Sequence, residues 1–186
     1  MSKKPRGRTV KAEEFLLTDA AGRRRAVLAS SDGAPRLVLL DAAERPRLVA
    51  EVGEEGPLFS LHGPNGRPGV QLQVGRSGPA VILRDFSGLG RIFLDVGSGG
   101  TSLTLGGRAL QPRIAIRVHG NSQAVSVRDE HDRTQIRLGV VAGVPRLSIH
   151  AKSGRPIYTL PPRDRPGRPK QLRIRFRKGG VKGELA

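Results

Sequence analysis

The chain contains no cysteine and no tryptophan, and only 3% of its residues are aromatic. Without thiols, disulfides and thiolate metal centres are excluded. With so few rings, a core built on large aromatic side chains is not expected. No uncharged apolar run is long enough to span a bilayer as a helix. The N-terminal stretch Met1-Ser2-Lys3-Lys4-Pro5-Arg6-Gly7-Arg8 is basic, but no apolar segment follows it, so it does not read as a secretory signal. The expected location is cytoplasmic, and a leaderless secreted or virion-associated component would share these features. Acidic residues are also scarce: 16 Asp and Glu stand against 33 Lys and Arg, a net charge of +17. A field of that sign attracts polyanions.

What the chain has in abundance is turn formers, with Gly and Pro filling 39 of 186 positions. Their spacing is regular. Pro35, Pro57 and Pro79 follow one another at 22 residues, and Pro145 lies three periods further on. Blocks of 22 starting at Glu13, Pro35, Pro57, Pro79, Thr101, Gln123 and Pro145 align with no insertion or deletion. Four columns are then apolar throughout. The third positions are Phe15, Leu37, Phe59, Val81, Leu103, Val125 and Leu147. The fifth are Leu17, Leu39, Leu61, Leu83, Leu105, Val127 and Ile149. The fourteenth are Ala26, Leu48, Val70, Ile92, Ile114, Ile136 and Tyr158, and the sixteenth Leu28, Ala50, Leu72, Leu94, Ile116, Leu138 and Leu160. At 37% hydrophobic content, chance would fill about ten of these 28 cells.

Positions 3 and 5, and again 14 and 16, alternate with the period of two that puts strand side chains on one face. Between the two strands stands Asp-x-x-Gly, as in Asp19 to Gly22 and Asp85 to Gly88, with the Asp kept at Asp41 and Asp129. Asp accepts backbone N–H bonds at the head of a turn, and Gly supplies a positive φ at its end. The second turn is Gly-x-x-Gly-Pro, as in Gly53 to Pro57 and Gly75 to Pro79. Residues 11–28 are rich in helix formers, but their register matches the other blocks and predicts strands. The expected fold is all-β: seven tandem 22-residue two-strand repeats in a curled antiparallel hairpin meander, with a two-sided β-solenoid as the alternative. Short Asp/Gly turns favour hairpins, and a solenoid would stack the Asp column at about 4.8 Å. Fourteen strands are expected to curl, close or oligomerise rather than stay flat.

The pattern resembles bacterial tandem 22-residue β-repeat proteins carrying Leu-x-Leu-x-Asp-x-x-Gly-x-x-Arg-x-x-Leu-x-Val. It stands nearly complete as Leu37-Val38-Leu39-Leu40-Asp41 with Arg45-Pro46-Arg47-Leu48, and covers residues 13–162. It departs at Gly63, Gly107 and Ala151, where the Asp is lost. The resemblance implies an architecture and no chemistry.

The blocks divide the chain into a basic N-terminal tail (1–12), the seven-repeat domain (13–162) and a C-terminal Pro-rich linker with an Arg-rich strand and tail (163–186). The two tails carry +12 of the +17. Candidate polyanion contacts in the first are Lys3, Lys4, Arg6, Arg8 and Lys11. In the second they are Arg163, Arg165, Arg168 and Lys170 of the linker, then Arg173, Arg175, Arg177, Lys178 and Lys182. Leu172-Arg173-Ile174-Arg175-Phe176-Arg177 alternates apolar and Arg, so as a strand it would line three cations about 6.7 Å apart. The same strand is also expected to close the last edge of the repeat sheet. Arg recurs within the repeats, where local pairing with the turn Asp is the expected role. The cluster Arg23-Arg24-Arg25 exceeds what pairing needs and is the best repeat-borne candidate for anion contact.

Catalytic constellations are missing. His62, His119, His131 and His150 have no partners at metal-ligand spacing, and surface or turn roles are expected for them. Gly88-Leu89-Gly90 precedes no helix, so it lacks what makes a phosphate loop. Each Asp turn offers a single carboxylate, too few for calcium. No cofactor and no enzymatic activity are expected. The expectation is a cationic β-repeat scaffold binding a polyanion, nucleic acid first (DNA or RNA), through its tails. The alternative is a structural homo-oligomer, a fibre, shell or appendage component. That alternative rests on apolar residues at positions 4 and 15, as in Val38 and Val49 or Ile82 and Phe93, which give the other strand face an apolar character too.

Overall fold

The computed structural model describes residues 10–31, 33–107, 111–161, 172–177 and 180–185; at Ser31 and in the last two segments the backbone alone is described. Its strands are β1 (Glu14–Thr18), β2 (Arg24–Ser31), β3 (Ala34–Leu40), β4 (Pro46–Gly53), β5 (Gly56–His62) and β6 (Pro68–Gly75). There follow β7 (Gly78–Arg84), β8 (Gly90–Gly97), β9 (Gly100–Gly106), β10 (Pro112–His119) and β11 (Ser122–Arg128). The chain continues with β12 (Thr134–Val141), β13 (Val144–His150), β14 (Pro156–Leu160), β15 (Leu172–Arg177) and β16 (Gly180–Leu185). β1 to β14 form one sheet in sequence order, every neighbour antiparallel. The meander is therefore the architecture and the solenoid is not. The sheet is open: among the described strands, β1 and β14 each pair with one neighbour.

The 22-residue columns become cross-strand rows. Leu17 faces Ala26, Ala26 faces Leu39, Leu39 faces Leu48 and Leu48 faces Leu61, and the row continues to Ile149 and Tyr158. Phe15, Leu28, Leu37, Ala50 and Phe59 begin a second row that runs to Leu147 and Leu160. All 28 columnar apolar residues thus stand on one face, here called the apolar face. Positions 4 and 15, as in Val38 opposite Val49, pair across the other face.

Two kinds of turn alternate. In the Asp turns the register slips by one residue, as between Leu17 and Thr18. The Asp19 carbonyl accepts the Gly22 N–H at 2.9 Å, while Asp19 Oδ1 accepts the N–H groups of Ala21 and Arg23 at 3.0 Å. The fourth residue is left-handed, with φ of 77° at Gly22 and 86° at Gly88. Glu44 and Asp132 adopt the same conformation, so the geometry overrides the usual preference for Gly. The second kind has a two-residue loop, as where Gly53 pairs with Gly56 and Gly75 with Gly78. Gly78 has φ of 119°, and a Cβ there would sit 1.9 Å from the Val96 carbonyl oxygen. Gly is obligatory at that place.

Burial runs opposite to the sequence pattern. None of the 28 residues of the apolar rows is buried, and Leu17 and Leu138 are 62% and 56% exposed. Among the described residues, the buried hydrophobic ones, Val38, Val49 and Ala115, lie on the other face with Ser60. The apolar rows have no layer above them among the described residues. The apolar face is concave over β2 to β8, with a groove of about 610 Å³ lined by residues such as Leu37, Phe59, Leu72 and Val81.

One expectation fails. β15 does not close the edge at β14; it pairs with β16 in a separate two-stranded sheet, Arg173 opposite Glu184 and Arg175 opposite Lys182. Its natural partner is Gly180–Leu185, which is adjacent in sequence and joined by a short connection, so local pairing wins over return across the Pro-rich linker.

Candidate cationic surface

The arginines of the repeats are placed by the turn that precedes them. In repeats one, two, four and six the turn Asp engages them directly. Asp19 takes Arg23 Nε at 3.0 Å and also the Arg25 guanidinium. Asp41 takes Arg45 at 3.1 Å and Arg47 at 3.4 Å, Asp85 takes Arg91, and Asp129 takes Arg133 at 2.9 Å. Arg25 and Arg91 also donate to carbonyls of the next turn, Asp41 and Gly107, tying successive hairpins together. Partial desolvation pushes the Asp19 carboxyl up, but the Arg23 N–H, the Arg25 guanidinium and the Ala21 N–H together hold it down at about 2. The Asp129 carboxyl also lies at about 2, the N–H groups of Arg133 and His131 outweighing desolvation. At Asp85 the Ser87 hydroxyl is the largest influence, with Arg91 and the Leu89 N–H adding to it, and the carboxyl again lies at about 2.

Arg23, Arg24 and Arg25, the anion contact expected within the repeats, are consequently engaged. Asp19 holds the first and third, and Glu44 takes Arg24 at 3.1 Å. Arg23 and Arg24 remain about half exposed in these pairs, and the three cations meet two carboxylates.

The free cations lie elsewhere. Repeats five and seven lack the turn Asp, and their arginines Arg113 and Arg155 have no carboxylate partner among the described residues. Repeat three lacks it too, and there the Arg67 guanidinium donates to the Ser87 carbonyl and the Arg67 backbone N–H donates to Asn65 Oδ1 at 3.0 Å. Beyond residue 100 the ion pairs of the described residues are Arg128–Asp132 at 2.8 Å and Arg133–Asp129 at 2.9 Å. Arg117, Arg137 and Arg146 are exposed and have no carboxylate partner among the described residues.

Four of these cations share the face opposite the apolar rows. Arg137 stands in a row of small residues, with Ala115, Ser126, Ser148 and Thr159 following the same cross-strand register. Arg146 faces Gly139, diagonal to Arg137, so the two residues are about 7–8 Å apart. Arg117 faces Ala124 in the same row as Gly139, and Arg113 lies four residues before Arg117 on β10, at the second same-face position along the strand. A Cβ at Gly139 would come within 2.1 Å of the Gln123 carbonyl oxygen, so the floor between the arginines is bare because the strands leave no room for more. A hollow of about 340 Å³ lies here, lined by Arg137, Arg146, Ser148, His150 and Thr159 among others.

His150 is held in that hollow. Its Nδ1 donates to the Gly154 carbonyl at 3.1 Å, which leaves Nε2 to accept the Ser148 hydroxyl at 3.0 Å. Ser60, His62 and Gly66 repeat the arrangement at 2.9 and 3.0 Å. Both histidines occupy the sixth position of a block whose turn Asp is missing. A Ser-x-His bracket thus secures the turn without a negative charge, in accord with the turn role expected for these residues.

Sequence reasoning placed the free charge in the tails and missed this face. The signal was present: residues 13–100 carry ten basic and eleven acidic side chains, whereas residues 101–162 carry nine and three. Among the tail candidates, Lys11 is exposed. Arg173, Arg175, Arg177 and Lys182 fall on the backbone of β15 and β16. Lys3, Lys4, Arg6, Arg8, Arg163, Arg165, Arg168, Lys170 and Lys178 lie outside the described residues. No helix of the described residues is long and apolar enough to cross a membrane. No protein-family model matches the chain, and no curated protein matches its sequence.

Proposed function

We propose that the chain is a non-enzymatic β-repeat scaffold that binds a polyanion, nucleic acid in the first place, on the cationic face of β10 to β14 together with its basic tails. The observation that carries this reading is the set Arg113, Arg117, Arg137 and Arg146 on one sheet face, none of which has a carboxylate partner among the described residues. Unpaired surface arginines repel one another and gain nothing from their own fold, whereas a line of phosphates would satisfy all of them. The C-terminal 24 residues continue the same sign, with nine basic and two acidic side chains. Contacts of this kind go to backbone phosphates and do not read sequence.

The test is binding to duplex and single-stranded oligonucleotides as a function of salt. Affinity should fall steeply, with a log–log slope of about −0.9 per phosphate neutralised on duplex DNA. Deleting residues 163–186 should remove most of the affinity, and Arg137→Glu with Arg146→Glu should remove a further part. Salt-independent binding, or binding unchanged by both alterations, would refute the reading.

A further inference from the structure

We infer that the apolar face of the sheet is the interface of a homodimer, a second copy packing face to face to make a two-layer sandwich. The inference is independent of the polyanion reading, which concerns the opposite face.

The apolar rows are uncovered in a single chain. They run across all 14 strands, and their outer borders at Val52, Val74 and Val96 are also apolar and exposed. An exposed face of this size and uniformity is one that a second layer covers. Fourteen strands at about 4.8 Å, each contributing about five residues of 3.3 Å, span roughly 1,100 Å². Two copies would bury about 2,200 Å², which lies in the range of obligate homodimers.

The occupant follows from periodicity. The face repeats every two strands, about 9.6 Å, for its whole length. A partner that fits all along it needs the same repeat, and a second copy has it. Closure of the sheet on itself is not available, because β1 and β14 do not pair.

Charge sets the orientation. A twofold axis in the plane between two facing sheets has two simple directions. Parallel to the strands, it lays β1 over β14 and β3 over β12. Across them, it lays each strand over its own copy and stacks the two positive ends. Residues 101–162 carry nine basic and three acidic side chains and residues 13–100 ten and eleven. The first axis keeps the positive ends apart and sets each against a near-neutral stretch, so it is the one inferred. The cationic faces of both copies then point outward.

Light scattering coupled to gel filtration on the full chain should give twice the chain mass. Leu72→Lys and Leu94→Lys place charge at residues 43% and 41% exposed in a single chain, so a lone chain tolerates them. They should halve the mass while the strand signal in circular dichroism is kept; Gln71→Lys, on the other face opposite Ser60 and Ile82, should leave the dimer intact. Because the chain has no cysteine, Leu39→Cys in β3 and Ile136→Cys in β12 provide a measurement that does not depend on breaking the interface. Coexpressed, the two single variants should cross-link to each other through a bismaleimide of about 10 Å, and neither should cross-link to itself. A monomer at all concentrations, a dimer unaffected by both lysines, self-linking of either cysteine variant, or adsorption of a monomer to neutral phosphatidylcholine vesicles would each overturn the inference.

Discussion

Repeats one to four and repeats five to seven are built on one backbone and differ in how their cations are used. Both have the same strand register and the same apolar rows. In the first group, acids match bases and the arginines are absorbed into turns, with Asp19, Asp41 and Asp85 each holding two or one of them. In the second, acids are concentrated at Asp129, Glu130 and Asp132 and the arginines of three strands stand free. The same residue type therefore serves fold closure in one region and surface charge in the other, and at block positions 11 and 13 a turn carboxylate is what engages it. A count of arginines does not distinguish them; their partners do.

The two regions also differ in their two-residue turns, and there the largest effect is expected. Repeats two, three and four end on Gly56, Gly78 and Gly100, each with φ above 100° and each lying where a Cβ would meet the carbonyl oxygen of the facing strand at about 2 Å. Repeats five and six end on Ser122 and Val144 and place the positive φ inside the loop, at Gly120, Ala142 and Gly143. Gly78→Ala should thus cost about 3 kcal/mol or more, combining a left-handed strain with a clash that the backbone alone can relieve. Ser122→Ala at the equivalent place should stay within about 0.5 kcal/mol. Urea unfolding followed by circular dichroism measures both. Equal effects would mean that the two turn types are interchangeable.

The second effect tests the turn carboxylate directly. Restoring Asp in repeats five and seven, as Gly107→Asp with Ala151→Asp, should give Arg113 and Arg155 the partners that Arg25 and Arg45 have. Arg113 lies within 2.3 Å of a Cβ built at Gly107, so the flexible guanidinium moves and the carboxylate takes it. On the proposed function, affinity for duplex DNA should fall about tenfold or more and the log–log salt slope should lessen by about 2. If the double variant binds as the parent does, Arg113 and Arg155 are outside the interface and the contact rests on Arg117, Arg137, Arg146 and the tails.

Much of this fold was legible because it obeys two local rules repeated seven times. Alternation at positions 3, 5, 14 and 16 predicted the strands, and Asp-x-x-Gly and Gly-x-x-Gly predicted the turns between them. The antiparallel choice also followed, since turns of this length join adjacent strands. Two features were not legible. Burial was inverted, with Val38 and Val49 covered and Leu17 open, because an apolar column says that a face is to be covered and not by what. The pairing of β15 with β16 was missed because alternation in Leu172–Arg177 specifies a strand but not its neighbour. At the candidate surface, the pairing of Arg23 and Arg25 with Asp19 could be read from spacing. The freedom of Arg137 and Arg146 required knowing that Ser126, Ser148, Gly139 and Ala124 surround them.

The smallest effect concerns acid. Asp19, Asp85 and Asp129 are held at about 2, below the ordinary value of 3.8, by N–H groups and arginines that the unfolded chain does not supply. A carboxyl lowered by folding contributes stability that is fully present above its unfolded value and is lost as pH falls through its folded one. The loss should therefore fall between about pH 4 and pH 2. Repeats three, five and seven have no such carboxyl, and in repeats three and seven the Ser–His bracket stands in its place. Asp85→Asn should lower the melting temperature at pH 6 and flatten its decline between pH 4 and pH 2, because one of the titrating turns is gone. Ala151→Asp should do the reverse, steepening that decline by adding a titrating turn to repeat seven. Thermal unfolding by circular dichroism at half-unit steps resolves the two slopes; if both variants follow the parent's slope, the turn carboxylates are not what distinguishes the acid response of the two regions.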